Sequence, residues 1–492
     1  MLREGYHPVH QLLSQVTQTI EQRSLRASQV VLLVSGGSDS TALAYLCSEL
    51  RDLGYLDALE IIHVNHHLRG RDSDKDAEFV RQLGAYLDIA VHVYDWDGQS
   101  LNNQSGKNLE EEARLARYRI AYARLRELCG YYVSFESAMD QLLWYPEAEV
   151  ARLLGRQTPA LIYTAHTLDD RIENFFMRSL VGTGPGGLRA MDYRAAYQAH
   201  PLLDVTRKDL RSYLETRAEA GSAMRDEDTG GLWREDGTNA IPDKFRTFVR
   251  HCLVPPARDY NPHFPENLRR TMNLIGQEHA YLDQTAFDVA SNHLVWLGGE
   301  DERPRSSRDG GEEHPRFDRE GEGSNPPFTR GEGDGLPQLL SDRGDDYSQL
   351  VDEGGVSHSP RGKLSDDARA MGEPSDEMTG ALAGMQTETS PLEKTPDFSQ
   401  GFLLRPGFGE VAHTLQQRIV HRALHAVLGS EARVSEATVK AVLDAFSDGR
   451  PRSGYVTNIQ GNLAVSSNKH GVRVEPMEIF RTRRKRIKSN KN

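Results

Sequence analysis

Short apolar runs alternate with amphipathic stretches along the first two hundred residues. Four runs rich in aliphatic and β-branched side chains predict strands, at residues 30–34, 59–66, 89–96 and 160–166. The stretches between them carry apolar residues at the three- and four-residue spacing of helices. Strands that alternate with helices are typical of a parallel sheet covered on both faces. We therefore predict a doubly wound α/β domain over residues 1–205.

The pattern changes in the rest of the chain. Strand-like runs disappear over residues 206–300, where amphipathic stretches predict a helical domain. Residues 301–400 are rich in Gly, Pro and Ser and have few large apolar side chains, so we predict a disordered acidic insert. Helical and hairpin-like patterns return over residues 401–492, which predicts a small α+β region. Within the first domain, residues 131–158 are predicted to be an insertion between a helix and the fourth strand.

Charge and cysteine content narrow the choice of partners. The net charge of −13 is concentrated in residues 301–400, which hold 23 acidic and 11 basic side chains. Because the remainder is nearly neutral, an RNA partner is not excluded. The three cysteines form no C-x-x-C pair, which argues against a disulfide framework, a zinc knuckle and an iron–sulfur cluster. We see no signal peptide and no apolar run long enough to cross a bilayer, so we expect a cytoplasmic protein.

One polar loop after the first strand suggests phosphate chemistry. It reads "SGGSDS" and consists of Ser35, Gly36, Gly37, Ser38, Asp39 and Ser40. A strand, a glycine-rich loop and a helix together bind phosphate through backbone amides and the positive helix end. The lysine that usually ends such a loop is absent, and Asp39 would repel a bare phosphate. An Mg²⁺ ion between Asp39 and a pyrophosphate resolves this conflict, and it favours cleavage of ATP to AMP. The alternative is an ordinary strand–helix turn.

A second polar cluster follows the fourth strand, at the same side of the predicted sheet. In "TAHTLDDRIEN", His166, Asp170 and Glu173 lie four and three residues apart, so they share a face if a helix begins here. Two carboxylates on one face repel each other unless a metal ion or a substrate lies among them. The alternative is a solvated acidic helix start, which the helix dipole favours.

Two further segments give weaker indications. Arg114 and Arg117 lie three residues apart in a predicted helix and could face a nucleotide, although surface ion pairs explain them more simply. His63, His66 and His67 follow the second strand. Zinc binding is conceivable there, but no cysteine accompanies them, and we favour a substrate loop with Arg69 available.

Taken in order, these motifs resemble one known family. The loop Ser35–Ser40 and the strings "HHLRGRDSD", "NLEEEARLARYR" and "TAHTLDDRIEN…GTGPGGLRAM" are similar to those of bacterial tRNA(Ile)-lysidine synthases, members of the PP-loop ATP pyrophosphatases. "HPLLDVTRKDLRSYL", Asn239 and "NPHFPENLRRTMNLIGQE" resemble the second domain of that family. The resemblance covers roughly residues 28–130, 160–290 and 410–475, and it implies an adenine nucleotide alpha hydrolase-like fold.

The resemblance implies a ligase reaction. ATP would adenylate the C2 carbonyl oxygen of the wobble cytidine, position 34, in tRNA(Ile) with a CAU anticodon. The ε-amine of free L-lysine would then attack C2, releasing AMP and leaving lysidine. The family is often dimeric, so the resemblance also leaves a homodimer open.

The resemblance also assigns roles to residues of this chain. Ser35–Ser40 would bind ATP, with Asp39 on Mg²⁺ and pyrophosphate. Asp170 and Glu173 would act on the lysine amine or on a metal ion. His166 and Arg114 would position the nucleotide and the tRNA.

Some features depart from the family pattern. Asn65 and His67 flank His66 where the family has Asp-His-Gly, Arg171 stands in place of Gln, and Thr247 stands in place of Asn. These departures concern the lysine contacts rather than the ATP loop. The basic tail "RTRRKRIKSNKN" suits phosphate contact, and a solubilising terminus explains it equally well.

Three other functions remain open. A PP-loop tRNA thiolase would adenylate a tRNA base but deliver sulfur, which calls for cysteine pairs that this chain lacks. An amidotransferase-type synthetase would need a glutaminase segment, and none is evident. A catalytically degenerate RNA-binding homologue is disfavoured by the complete loop Ser35–Ser40.

Overall fold

A computed structural model describes most of the chain outside the acidic segment. The described residues are 8–67, 70–96, 109–129, 131–132, 135–146, 149–150, 158–234, 244–298, 388–389, 397–429 and 432–489. Within these ranges, no helix combines the length and the apolar character that a bilayer crossing requires.

The first domain alternates strands and helices, as the sequence predicts. Its elements in chain order are α1 (Pro8–Gln22), β1 (Ala27–Leu33), α2 (Ser38–Asp52), β2 (Ala58–Asn65), α3 (Arg71–Leu87), β3 (Ala90–Asp95), α4 (Leu109–Cys129), β4 (Tyr131–Tyr132), α5 (Phe135–Trp144), β5 (Thr158–Tyr163), α6 (Leu168–Val181), α7 (Pro185–Leu188), β6 (Arg194–Ala195) and β7 (Gln198–Ala199).

A six-stranded sheet forms the centre of this domain, in the order β3-β2-β1-β5-β7-β6. All neighbours pair in parallel except β6 and β7. This confirms the predicted parallel α/β sheet. The chain continues from β1 to β2 on one side, while β5 lies on the other side of β1. In such sheets ligands bind at the carboxyl ends of the strands where the order reverses, here those of β1 and β5.

Buried side chains alternate between the two faces of the sheet. Val30 and Leu32 of β1 pack in one core with the helices α1, α2 and α3. Val31 and Leu33 point to the opposite core, which contains α4 and the start of α5. A strand that is buried on both faces reads as a continuous apolar run. That explains why this strand was evident from the sequence.

Helices dominate the chain after the first sheet. They are α8 (Arg207–Glu219), α9 (Lys244–Phe248), a π-helix (Val249–Leu253), α10 (Val254–Tyr260) and α11 (Phe264–His293). The sequence placed the first of these in a second domain. The structure instead packs Leu210, Tyr213 and Leu214 of α8 in the core of the first domain. The π-helix, α10 and the first half of α11 share a separate small core with α6.

The C-terminal region contains a second sheet. Its elements are β8 (Leu294–Trp296), β9 (Glu388–Thr389), β10 (Phe402–Leu404), α12 (His413–Leu428), α13 (Glu436–Leu443), β11 (Phe446–Ser447), β12 (Arg450–Pro451), β13 (Val456–Ile459), β14 (Leu463–Asn468), β15 (Gly471–Pro476) and α14 (Met477–Ser489). Five strands pair in the antiparallel order β13-β14-β15-β10-β8.

Two boundaries differ from the expectation. The sequence predicts helices and no strands over residues 206–300, whereas the structure ends α11 at His293 and makes Leu294–Trp296 a strand. Inside the segment predicted to be disordered, β9 and a short 3₁₀ helix at Phe398–Gln400 are described, and Phe398 is buried. The rest of that segment lies outside the described residues.

Candidate active site

The loop after β1 has the geometry of an anion site. Gly36 adopts a φ of +92°, which favours glycine, and Gly37 precedes the first turn of α2. No side chain caps this helix start. Ser40 Oγ instead accepts from the Ser35 amide at 3.2 Å and donates to the Gly37 carbonyl at 3.2 Å, which holds the loop open. The loop therefore leaves the positive end of α2 accessible to an anion.

Cations reach this loop from another helix. Arg207 Nε donates to Asp39 Oδ2 at 3.2 Å, and Arg211 Nε lies 3.4 Å from Ser38 Oγ. Both arginines belong to the first turns of α8, one turn apart. They supply the positive charge that the sequence of the loop itself lacks.

The helix α6 begins two residues later than the shared-face prediction requires. Thr167 is its N-cap, and Asp170 closes a capping box by accepting from the Thr167 amide at 2.8 Å. His166 therefore lies outside the helix, while Asp170 and Glu173 share its first turns. The alternative interpretation of Asp170, as part of a helix start, applies as well, because the carboxylate both caps α6 and contacts other charges.

Four arginines surround the carboxylates at the start of α6. Arg246 bridges two of them, with 2.8 Å to Glu173 Oε2 and 2.8 Å to Asp170 Oδ1. Arg250 makes a bidentate pair with Glu173 at 2.7 and 3.0 Å. The ion pairs are Arg207 with Asp39, Asp170 and Glu173; Arg246 with Asp170 and Glu173; Arg250 with Glu173; and Arg258 with Asp169.

These contacts and burial shift the pKa values of the three carboxyl groups in different directions. Burial alone would raise the pKa of Asp170, but the charges of Arg207 and Arg246 and a hydrogen bond from the Thr167 amide outweigh it and lower the pKa. Burial would also raise the pKa of Glu173, but hydrogen bonds from Arg250 and the charge of Arg207 outweigh it and lower the pKa. Burial raises the pKa of Asp39, and Arg207 opposes that only in part.

Two histidines, His200 buried and His166 partly buried, lie next to this cluster. Thr164 Oγ1 lies 2.7 Å from His166 Nδ1 and 2.5 Å from His200 Nδ1, at the carboxyl end of β5. Burial lowers the pKa of both imidazoles, that of His200 well below its ordinary value. Both rings are therefore neutral at pH 7. His166 lies beside Asp170, but it does so from a loop and not from the helix.

The remaining predicted residues make contacts of their own. Arg114 is exposed on α4, with its guanidinium 5.6 Å from the centre of the Tyr118 ring. Its charge adds to burial in lowering the pKa of His166. His63 Nδ1 lies 2.9 Å from the Val34 carbonyl oxygen, and His67 Nε2 lies 2.8 Å from Asp95 Oδ1. His63, within β2, and His67, after it, thus have separate contacts.

The residues that depart from the family pattern have contacts that the structure shows. Arg171 is fully buried and turned away from the cluster, with 3.0 Å to Asp204 Oδ1 and 3.0 Å to Asn273 Oδ1. Asn65 donates to Asp74 and accepts from the His67 amide, which shapes the loop after β2. Thr247 lies on α9 beside Arg246. Arg69 and Asn239 lie outside the described residues.

Sequence reasoning missed the arginines of the site. A signal was present, because Arg246 and Arg250 are four residues apart on a predicted helix and Arg207 follows a helix N-cap. This spacing did not indicate which residue the arginines contact, because Glu173 is 34 residues from Arg207 and 77 from Arg250 along the chain. Only the fold brings these side chains together.

The donor set fits one Mg²⁺ ion shared with a nucleotide. Within the described residues, no group of three or more His, Cys, Asp or Glu side chains is arranged to hold a metal. Asp39 and Asp170 nevertheless hold the same guanidinium, which shows that a cation is attracted between them. Mg²⁺ is commonly bound by one or two carboxylates together with substrate phosphates and water. Asp39 is therefore suited to hold it beside the loop.

Comparison with known proteins agrees with this geometry. The model of the PP-loop domain family matches residues 8–133 and 149–257, which include the loop and the whole arginine–carboxylate cluster apart from Arg258. The chain contains a PP-loop domain. Residues 134–148, which cover α5, are left out of that match. They fall within the segment 131–158, whose assignment as an insertion stays a prediction.

Relatives of the PP-loop chain carry a more specific name. It is 32% identical over 279 residues to the tRNA(Ile)-lysidine synthase of Porphyromonas gingivalis, covering 56% of this chain and 51% of that protein. It is 31% identical over 255 residues to the enzyme of the same name from Chlorobaculum tepidum, covering 52% and 64%. The chain thus spans between half and two thirds of the length of these relatives. The matches confirm the resemblance found in the sequence motifs.

A solved structure overlaps more loosely with the PP-loop chain. The U34-tRNA thiolase NcsA from Methanococcus maripaludis, with its [4Fe-4S] cluster, shares 16% identity and gives a TM-score of 0.38 over 55% of this chain and 79% of that one. An overlap this low supports no statement about function.

Proposed function

We propose that the protein is a tRNA(Ile)-lysidine synthase. It would use ATP to activate C2 of the wobble cytidine in tRNA(Ile) with a CAU anticodon and then join L-lysine to C2, releasing AMP and pyrophosphate. The observation that carries this proposal is the meeting of the loop Ser35–Ser40 with the acidic start of α6 through Arg207. A phosphate site then lies beside carboxylates that attract a cation. The named relatives support the same reaction.

The loop would bind the triphosphate of ATP. Gly36 and Gly37 let backbone amides approach phosphate oxygens, and the start of α2 adds positive potential. Arg207 and Arg211 face the same loop and would neutralise the departing pyrophosphate. Mg²⁺ bound by Asp39 would supply further charge neutralisation there.

A cavity next to the cluster has the chemistry of a lysine site. Its volume is about 240 Å³, and it contains carboxylates, guanidinium groups and an apolar wall. The residues that line it are Asp169, Glu173, Arg207, Arg250, Val254, Pro255, Arg258 and Asp259. Carboxylates suit the two ammonium groups of lysine, the arginines suit its carboxylate, and the apolar wall suits its methylene chain.

The lowered pKa values limit what the carboxylates can do. With a pKa of about 10.4, the lysine ε-amine is almost wholly protonated at pH 7, and the neutral form costs roughly 4.6 kcal/mol. Asp170 and Glu173 have lowered pKa values, so they suit holding the ammonium more than taking its proton. His166 is neutral and partly buried beside Asp170, and it is better suited to accept a proton during attack.

The thiolase alternative has little support in the described residues. Cys47 is buried in the first core, and burial raises the pKa of its thiol. Cys129 ends α4 and Cys252 is exposed on the π-helix. Sulfur transfer would need a reactive thiolate near the phosphate loop. We propose cytoplasmic action, since the substrate is a tRNA.

The decisive experiment measures lysine transfer directly. Purified protein is incubated with ATP, Mg²⁺, radiolabelled lysine and a CAU-anticodon tRNA(Ile) transcript, and labelled tRNA and AMP are counted. We expect both products in equal amounts, and neither when tRNA or lysine is omitted. AMP formation without label in the tRNA, or no AMP at all, would refute the proposal. A thiolated tRNA product formed with a sulfur donor would instead support the thiolase.

A pair of variants tests the acidic cluster with a matched control. Asp170→Asn removes the charge that faces Arg207 and Arg246, and we expect lysidine formation to fall at least about 100-fold with ATP binding retained. Asp209 closes the same Thr-x-x-Asp capping box at the start of α8 but contacts none of these arginines. Asp209→Asn is therefore expected to leave activity unchanged. Normal lysidine formation in Asp170→Asn would rule out its role.

A further inference from the structure

The helix α14 at the end of the described chain is held against the second sheet by an inward face. Met477 and Phe480 are buried and pack with Ala464 of β14. Arg483 adds a polar anchor, because its guanidinium donates to the fully buried carboxylate of Glu475 and, at 3.1 Å, to Ser466 Oγ. The helix is therefore a fixed part of the C-terminal fold, and Arg483 is committed to holding it there.

Other cations of the same helix face outwards. Arg481 and Lys485 are exposed and lie four residues apart, so they project from one side one turn apart. They line a cleft of about 430 Å³ together with polar side chains. The cleft residues are Asn462, Met477, Glu478, Arg481, Thr482 and Lys485. This cleft thus combines two exposed cations with hydroxyl and amide groups, and a single carboxylate opposes them.

The packing of α14 favours a nucleic acid over an anionic membrane as the partner of its exposed cations. A basic amphipathic helix can lie on an anionic membrane only by burying an apolar face in the lipid. Here the apolar face is already covered by the sheet. A sugar–phosphate backbone needs only the cations and polar donors of the exposed side.

We propose that the cleft along α14 binds the sugar–phosphate backbone of the tRNA, with Arg481 and Lys485 on phosphates. This inference takes its ligand from the proposed function and extends it to a surface distant in sequence from the phosphate loop. Contacts of this kind position a nucleic acid and carry no sequence information. They depend on salt, because each neutralised phosphate releases counterions.

The test is the salt dependence of tRNA binding without ATP or lysine. Binding of the labelled CAU-anticodon transcript to the full-length protein is measured from low to moderate salt, and the slope of log K against log salt is compared. For Arg481→Gln with Lys485→Gln, the removal of two phosphate contacts should reduce the slope by about 1.4–1.8 and weaken binding at every salt concentration. The melting temperature should not change, since both side chains are exposed.

A matched control removes the same charge elsewhere. Arg81 and Lys440 are exposed helix residues already paired with Glu78 and Asp444. Arg81→Gln with Lys440→Gln should leave the slope unchanged. An unchanged slope in the α14 variant, an equal loss in the control, or no tRNA binding by the wild type would overturn the inference.

The outcome is separable from that of the proposed function. If the wild type makes no lysidine but the slope falls only in the α14 variant, the binding surface stands and the reaction is wrong. If lysidine forms and the slope does not fall, the surface alone is wrong. Binding of the protein to anionic phospholipid vesicles through the same two residues, without the slope change, would assign the surface to a membrane.

Discussion

Charge balance at single residues explains how the loop Ser35–Ser40, which we propose binds phosphate, would do so without a lysine of its own. Asp39 puts a negative charge where a phosphate is expected, and Arg207 cancels it from a helix that is 168 residues away in sequence. The same guanidinium also pairs with Asp170 and Glu173. A nucleotide with Mg²⁺ would compete with those carboxylates for Arg207. The side chain is thus placed to move between two sets of anions a few ångströms apart.

Arg171 illustrates how a residue departure can leave a site intact. Arg171 stands where the family pattern has Gln, and its side chain is buried between Asp204 and Asn273. A buried cation is tolerated only when it is paired and hydrogen-bonded. Its partners lie on other elements, which is why the sequence could not show that Arg171 joins the PP-loop domain to α11.

Four buried or partly buried histidines make the stability of the protein depend on pH. Burial lowers the pKa of His63, His66, His166 and His200. As pH falls below about 6.5, the unfolded chain gains protons that these folded imidazoles do not, so unfolding becomes easier. For His66 the window ends near its folded pKa of about 4. The paired carboxylates Asp170 and Glu173 add a further loss only at lower pH, as they become protonated.

His66 allows this effect to be measured at one residue. Its ring contacts Trp96 edge-on at 5.4 Å, and within the described chain its buried Nδ1 has no hydrogen-bond partner. His66→Phe keeps an aromatic ring against Trp96 and removes the titratable imidazole. We therefore expect the drop in melting temperature between pH 7.5 and pH 5 to become smaller. The slope it removes is at most about 1.4 kcal/mol per pH unit.

Thermal unfolding at the two pH values provides the measurement. His470→Phe, in the exposed turn between β14 and β15, is the control and should keep the full drop. A drop of equal size in His66→Phe and wild type would show that His66 does not contribute.

At the scale of elements, predictability follows the range of the interactions. The strand β1, its glycine loop and the acidic start of α6 were evident because local sequence determines them. The strand β8 was missed because Leu294–Trp296 continues an apolar helical pattern and pairs with β10, more than one hundred residues later. The arginines around Glu173 were missed for the same reason. Both the strand β8 and the arginine contacts depend on partners that are distant along the chain.

The helix α5 connects two parts of the fold. Phe135 and Ala138 at its start belong to the core of the PP-loop domain. Trp144 at its end belongs to the core of the C-terminal region, edge-on to Trp296 at 4.9 Å between ring centres. Arg422 of α12 donates to the Trp144 carbonyl oxygen at 2.9 Å. The helix outside the family match is therefore a structural connection, a role that no pattern in its own sequence indicates.

Trp144→Ala should loosen one side of this connection selectively. Removal of a buried tryptophan costs about 3–5 kcal/mol, and the Trp144 ring packs in the C-terminal core. Hydrogen exchange should therefore accelerate in β8 and β10 and stay unchanged in β1 and β5. Tyr281→Ala, which removes an exposed aromatic ring of α11, is the control and should change neither. Equal acceleration in both sheets would show that the two regions unfold as one.

At the scale of the whole molecule, the second sheet pairs a strand that precedes the acidic segment, residues 301–400, with strands that follow it. Phe402 of β10 pairs with Trp296 of β8, and the Leu297 amide donates to the Gly401 carbonyl at 2.9 Å. The two described flanks of the segment are therefore already neighbours. The sheet needs only a connection between these flanks. A longer connection lowers the stability of the sheet, because closing it costs more conformational entropy.

Replacing residues 303–386 by four Gly/Ser residues tests this view of the molecule. The replacement spares β8, β9 and β10, and it shortens the connection between β8 and β10 about fourfold, from 105 to 25 residues, which should stabilise the C-terminal sheet by about 1.3 kcal/mol. Urea unfolding followed by the fluorescence of Trp144 and Trp296 would report the change, because both rings lie in that core. Lysine transfer should persist, since every residue placed in the site precedes the segment. A shortened chain with a destabilised sheet would mean that the segment contributes contacts of its own, and loop closure could then not account for its length.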